Sequence, residues 1–206
     1  MSKASYDDRT RKRIERVEKK ALKIKGVDQG LIQRFWEIVT MVPKISSARL
    51  EERVENFIMH AAPQQLFEMQ RAIFDEATPY LTQDPRIREV LKSLSGKKLG
   101  LAITGEYEST VTLNHLRFEI SRGITEDIPV ISVSSRRDYA DGILKLQDPI
   151  KMVLTRKIRA SHKLTLLRWA LPHIELLKDK QLLEKYLSYQ PEVERVLEEN
   201  LTRMGF

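Results

Sequence analysis

The 206-residue sequence contains no cysteine. This absence excludes disulfide bonds, thiolate catalysis and cysteine-ligated zinc, and it favours a reducing, cytoplasmic compartment. The chain also lacks any run of about eighteen apolar residues, and its first residues are charged, so the sequence predicts neither a membrane span nor a signal peptide. With 41% hydrophobic and 32% charged residues, its composition is typical of a soluble globular protein.

Motifs for metal, nucleotide and acid–base chemistry are also missing. The segment Gly96–Gly105 lacks the residue order of a phosphate-binding loop, and no GxGxxG motif occurs. The carboxylate pairs Glu106/Glu108 and Glu126/Asp127 lie in polar, turn-like stretches, where solvated charge is far commoner than catalysis. No HExxH or other metal-ligand spacing relates the four scattered histidines, which are His60, His115, His162 and His173. We therefore expect no metal, no cofactor, no catalytic residue and no enzyme activity.

The net charge of +7 is concentrated at the start of the chain. Residues 1–30 hold ten Lys and Arg against five Asp and Glu, whereas residues 179–206 hold four against six. The segment Arg9–Lys25 places Ile14, Val17 and Leu22 on a narrow apolar stripe, which is typical of a surface helix docked along one side. Peripheral contact with an anionic membrane is one functional alternative, and nucleic-acid binding is another. Nucleic acid is disfavoured because no aromatic residue is interleaved with these charges.

Residues 1–95 are predicted to form a helical N-terminal extension. Apolar residues recur there at helical spacing, and either Ser46 or Ser47 is suited to cap the helix that follows. Prolines at positions 63 and 85 are suited to begin two of the helices. Five helical segments are predicted: Arg9–Lys25, Gln29–Val42, Leu50–Ala61, Pro63–Phe74 and Pro85–Leu94. The period then changes at Gly96, which places the organisational boundary near Ser95.

Beyond Gly96, apolar and polar residues alternate, which predicts β-strands. Turn signals at Gly105-Glu106, Asn114-His115 and Gly123 are spaced closely enough for antiparallel hairpins. An edge strand is indicated at Arg156–Ser161, where charged residues alternate with small or apolar ones. The other predicted strands are centred on Leu99–Ile103, Thr110–Leu113, Arg117–Ile120 and Ile128–Ser134.

Two apolar helices flank the predicted edge strand. Tyr139–Leu146 carries an apolar stripe that Asp148-Pro149 interrupts. Leu164–Leu177 is apolar over more than half of its helical wheel, so we expect it to be buried on several sides. The whole stretch Asp138–Leu171 offers no reactive side chain and is interpreted as the wall of a cavity.

The order of elements in residues 97–177 resembles the sterol carrier protein-2 domain. The serine-rich strand Asp127–Ser134, the helix end Gly142–Pro149 (GILKLQDP) and the basic segment Lys157–Ser161 follow the family's order. Ala160 and Ser161 replace the family's usual Gly-Asp. The resemblance implies that one face of the sheet and the helices above it enclose a lipid-binding tunnel.

The sequence therefore predicts an α+β fold, with a small, mostly antiparallel sheet covered by helices and preceded by a helical extension. Its predicted segments are 1–95, the sterol-carrier-like domain 96–178, and C-terminal helices in 179–206. The favoured function is non-catalytic binding or transfer of a hydrophobic, lipid-like ligand. A protein-interaction module or homodimer built on the N-terminal helices is the alternative, and nonspecific nucleic-acid binding is third. The candidate ligand-binding residues are Leu101, Ile103, Val111, Leu113, Phe118, Ile120, Ile131, Val133, Ile143, Leu146, Ile158, Leu164 and Leu167. Arg159, His162 or Arg168 is predicted to meet a polar head group.

Overall fold

The computed structural model describes residues 7–23, 28–30, 33, 44–176 and 179–206. Most of the predicted helix Gln29–Val42 lies outside the described residues. The described helices are α1 (Asp8–Ala21), α2 (Ala48–His60), α3 (Pro63–Leu81), α4 (Pro85–Ser93), α5 (Arg136–Ile143), α6 (Pro149–Leu154), α7 (Lys163–Leu176), α8 (Lys180–Leu187) and α9 (Gln190–Met204). The described strands are β1 (Lys98–Ile103), β2 (Tyr107–Asn114), β3 (Arg117–Arg122), β4 (Val130–Val133) and β5 (Ile158–Ala160).

Several helices begin where a side chain accepts a hydrogen bond from an otherwise unpaired backbone N–H. Asp7 accepts from Thr10 N at 2.7 Å at the start of α1. Ser47, one of the two predicted caps, accepts from Leu50 N at 3.1 Å at the start of α2. Asp84 caps α4, which has a proline in its first turn as the sequence predicts. These local signals fix the helix starts independently of packing.

The five described strands form one open sheet in the order β3-β2-β1-β4-β5. The pairs β1–β2, β2–β3 and β4–β5 are antiparallel, and β1–β4 is parallel. This arrangement confirms the predicted α+β fold with a small, mostly antiparallel sheet. The register places nine of the predicted apolar residues on one sheet face: Leu101, Ile103, Val111, Leu113, Phe118, Ile120, Ile131, Val133 and Ile158.

The main hydrophobic core takes residues from all three segments of the sequence. Phe57 and Leu66 come from the N-terminal helices, Ile103 and Leu144 come from the central segment, and Leu201 comes from α9. A second cluster joins Ile87 and Leu91 of α4 to Leu113 of β2 and Leu182 of α8. The helices before residue 96 therefore form part of the same core as the sheet. The division into three segments stays a prediction.

Two helices differ from the sequence-based expectation. The helix predicted over Tyr139–Leu146 ends at Ile143, because Lys145 has a positive φ of 53° and Leu146 N donates back to Asp141 O at 2.9 Å. The expectation that Leu164–Leu177 is buried on several sides is wrong for the described part. In α7 only Ile174 is fully buried among the described side chains, and Leu164 is 57% exposed. Among the described elements, this helix packs chiefly against α4.

Candidate functional site

A cavity of about 290 Å³ lies between the apolar face of the sheet and the helices α2, α3, α5 and α9. Its walls are almost entirely aliphatic or aromatic. Ile143, at the end of α5, lines the cavity and is also 50% exposed, so it marks the mouth. The lining residues are Val54, Phe57, Ile58, Leu66, Met69, Gln70, Ile73, Phe74, Leu101, Ala102, Ile103, Tyr107, Ile131, Val133, Tyr139, Ile143, Leu197 and Leu201.

The structure brings some of the predicted ligand-binding residues together around this cavity. Leu101 and Ile103 of β1, Ile131 and Val133 of β4, and Ile143 of α5 all line it. The parallel pairing of β1 with β4 sets Leu101 beside Ile131 and Ile103 beside Val133. These residues therefore form a continuous apolar floor. Whether they bind a ligand stays a prediction.

The remaining predicted residues do not line this cavity. Val111 and Leu113 are buried farther along the same sheet face, and Leu113 belongs to the second core cluster. The ring of Phe118 packs against the ring of Phe74, with centroids 5.1 Å apart. Ile120, Ile158 and Leu167 are half-buried elsewhere, and Leu146 and Leu164 are exposed.

Sequence reasoning missed the cavity walls that α2, α3 and α9 form. Helical spacing identifies Val54 and Phe57 on α2 and Met69 on α3 as members of apolar helix faces. It does not show which part of the sheet those faces pack against. Leu197 and Leu201 on α9 are four residues apart and hence share one helix face. Because these helices lie far from the sheet in sequence, only the fold reveals that they close the cavity.

One corner of the cavity is polar. The hydroxyl of Tyr107 donates to Gln70 Oε1, and the hydroxyl of Ser109, which is fully buried, donates to the same oxygen at 2.8 Å. Tyr139 lies beside them, and burial together with the nearby Tyr107 raises the pKa of Tyr139 to about 12. Burial also raises the pKa of Tyr107. All of these groups are neutral hydrogen-bonding groups at physiological pH.

A second, more open apolar cavity of about 550 Å³ lies among α3, α4, α8 and α9. Phe118 and His173 line it, together with tyrosines 80, 186 and 189. Burial lowers the pKa of His173, so its imidazole is neutral at physiological pH. Lys44, which adjoins a stretch outside the described residues, also lines this cavity. The first cavity is the less open of the two, so it is the better-defined candidate site.

The surface near the mouth of the first cavity is strongly basic. Helix α1 packs on α6, and Arg13 Nη1 donates to Leu154 O at 3.4 Å. Residues 7–23 hold eight Lys and Arg against four Asp and Glu, and residues 145–163 hold six against one. We call these two packed segments the basic surface. Its exposed apolar side chains are Val17, Leu22, Leu146 and Val153.

The residues predicted to meet a head group do not line the first cavity. Arg159 Nε donates to Arg156 O at 3.2 Å, and His162 Nε2 lies 3.4 Å from Asp127 Oδ1 on the surface. Arg168 is exposed on α7. Within the described ranges, no three metal-ligating side chains are grouped, and no helix is both long and apolar enough to cross a bilayer.

Comparisons with known proteins add little to this geometry. No family model matches the sequence, and no curated protein matches it. Among the solved structures to which the chain is similar is that of a "UbiJ-SCP2 Ubiquinone synthesis protein", with 12% sequence identity and a TM-score of 0.37. The match covers 50% of this chain and 90% of that chain. The α+β class rests instead on the strand pairing and helix packing described above.

Proposed function

We propose that the protein binds an apolar small molecule in the first cavity and carries it without altering it chemically. The observation that carries this proposal is a cavity of about 290 Å³, open to solvent near Ile143, whose walls are almost wholly apolar. This volume lies near the lower end of the range for small-molecule sites, about 300 to 1,000 Å³. Walls of this kind favour apolar guests, because binding removes apolar surface from water.

Burial of apolar surface supports a bound guest. A guest in contact with the aliphatic and aromatic lining would gain about 25 cal/mol for each Å² of apolar surface removed from water.

The basic surface is suited to contact the partner with which the protein exchanges its ligand. It lies beside α5, since a β-carbon at Gly142 in that helix would lie within 3.8 Å of Met152 in α6. Exposed apolar side chains accompany its positive charges, a combination that suits the interface of an anionic bilayer. We include peripheral contact with an anionic membrane in the proposed function, with the mouth facing the lipid.

Native mass spectrometry followed by organic extraction tests the binding proposal directly. We expect a co-purifying apolar molecule, or binding of an added fluorescent alkyl-chain probe that is recovered chemically unchanged. Ile143→Trp should narrow the mouth and weaken probe binding. Val153→Trp is the matched control, because Val153 is similarly exposed but does not line the cavity.

Three outcomes would count against the proposal. Equal probe affinity in the two tryptophan variants would place the ligand elsewhere, and chemical conversion of the probe would contradict a carrier. A dimer that binds no small molecule would favour the alternative of a protein-interaction module, which light scattering at several protein concentrations would detect.

A further inference from the structure

The polar corner of the first cavity contains two side chains, those of Gln70 and Tyr139, whose hydrogen-bond donors have no partner among the described residues. Gln70 Oε1 already accepts from Tyr107 and Ser109, so the side-chain N–H groups of Gln70 remain. Among the described residues, neither those N–H groups nor the hydroxyl of Tyr139 has a hydrogen-bond partner. Gln70 and Tyr139 are both half-buried and line the cavity. A bound group that accepts from them would satisfy these donors.

The same cavity contains no formal charge among its described lining residues. No Lys, Arg, His, Asp or Glu of the described ranges contributes to its walls. An ionised carboxylate placed there would lose its hydration and gain no cation, which is strongly unfavourable. Because the pKa of Tyr139 is about 12, its hydroxyl stays protonated and keeps its ability to donate.

The volume limits the size of the guest. The volume of about 290 Å³ lies near the lower end of the range for small-molecule sites, about 300 to 1,000 Å³. That is enough for a medium-length chain or a small branched hydrocarbon.

We propose that the ligand is an uncharged, medium-length apolar molecule whose single hydrogen-bond acceptor, such as a carbonyl oxygen, lies against the Tyr139 hydroxyl and the Gln70 amide. This inference rests on the proposed function and adds the chemical class of the ligand. It separates neutral ketones, esters and ethers from ionised fatty acids.

Three probes of matched length test it: the alkane nonane, a nine-carbon methyl ketone and the carboxylate nonanoate. Their affinities are compared by calorimetry in the wild type and in Tyr139→Phe, which removes a hydroxyl that bonds to no described residue. We expect the variant to lose about three- to tenfold in affinity for the ketone and nothing for nonane. Nonanoate should bind the wild type least tightly.

Tyr186→Phe is the matched control, because the Tyr186 hydroxyl donates to Leu81 O at 3.2 Å and Tyr186 does not line this cavity. The carbonyl stretching frequency of the bound ketone gives a second measurement, and it should be lower in the wild type than in Tyr139→Phe. Tight binding of nonanoate would overturn the inference. So would a ketone affinity and a carbonyl stretching frequency that are the same in the wild type and in Tyr139→Phe, because a water molecule, not the ligand, would then occupy the polar corner. If none of the three probes binds, the proposed function itself fails.

Discussion

At the scale of single residues, Gly100 shows how closely the sheet packs on the face opposite the cavity. A β-carbon at this position in β1 would lie 2.9 Å from both Ile124 Cδ1 and Val130 Cγ2. Gly142, in α5, has room instead: its β-carbon would meet Met152 Cε at 3.6 Å. Only the first glycine is therefore required by packing.

This contrast predicts opposite effects of the same substitution. Gly100→Ala should lower the free energy of unfolding by about 1 to 3 kcal/mol, because it overpacks a filled region. Gly142→Ala should raise it by up to about 1 kcal/mol, because alanine is the better helix former and meets no clash. Urea unfolding of both variants measures the difference, and a more stable Gly100→Ala would refute the packing argument.

At the scale of elements, an ion pair links α5 to the strand at the edge of the sheet. Lys157 Nζ, beside β5, lies 2.8 Å from Asp138 Oδ1 in α5. The hydrogen bond from Lys157 is the main reason that the pKa of Asp138 lies below its ordinary value of 3.8. This contribution to stability is therefore complete above that value and is lost as pH falls through the lowered pKa of the folded state.

Asp138→Asn should consequently destabilise the protein most at neutral pH, and the difference from the wild type should shrink on acidification to about pH 3. Chemical denaturation across that range measures the gap. Asp75→Asn, at an exposed position on α3, is the control and should give a much smaller gap at neutral pH. A constant gap for Asp138→Asn would contradict the role of the ion pair.

The sequence predicts individual helices and strands better than it predicts which of them pack or pair with each other. The cap at Ser47, the proline start of α4 and the alternation in β1 to β4 are local signals, and each corresponds to an element of the fold. The parallel pairing of β1 with β4 and the closure of the cavity by α2, α3 and α9 depend on contacts between distant segments. Helical spacing in residues 50–74 identifies an apolar face but not what it covers, and so the sequence predicts lining residues on the sheet and on α5 but not on α2, α3 and α9.

At the scale of the whole molecule, positive charge is segregated to one surface. The two segments of the basic surface together hold fourteen Lys and Arg against five Asp and Glu, an excess of +9, whereas the entire chain carries +7. The remainder is therefore slightly acidic. Such segregation orients a protein toward a negatively charged partner. The exposed Leu146 and Val153 favour a bilayer over nucleic acid, because apolar side chains insert into the lipid interface.

Vesicles of neutral lipid with and without phosphatidylserine test this orientation. Binding to the anionic vesicles should weaken steeply between about 50 and about 150 mM salt, since exposed charges are screened over roughly 8 to 10 Å. The triple substitution Arg16→Gln, Lys19→Gln and Lys20→Gln should reduce binding at least tenfold, at about 1 kcal/mol for each lost charge. The control removes the same charge outside the basic surface, through Arg88→Gln, Lys92→Gln and Lys185→Gln, all at positions away from α1 and α6.

Leu146→Asp and Val153→Asp separate a bilayer from nucleic acid as the partner. Both should weaken vesicle binding by more than the single added charge accounts for, because they also remove apolar side chains that would enter the lipid interface. Binding to duplex DNA depends on contacts with phosphate groups. Its affinity should therefore fall only by the amount that the added negative charge accounts for. If DNA binding equals vesicle binding and responds identically to all of these variants, the basic surface is a nonspecific polycation. The membrane then drops out of the proposed function, while the cavity and its ligand are unaffected.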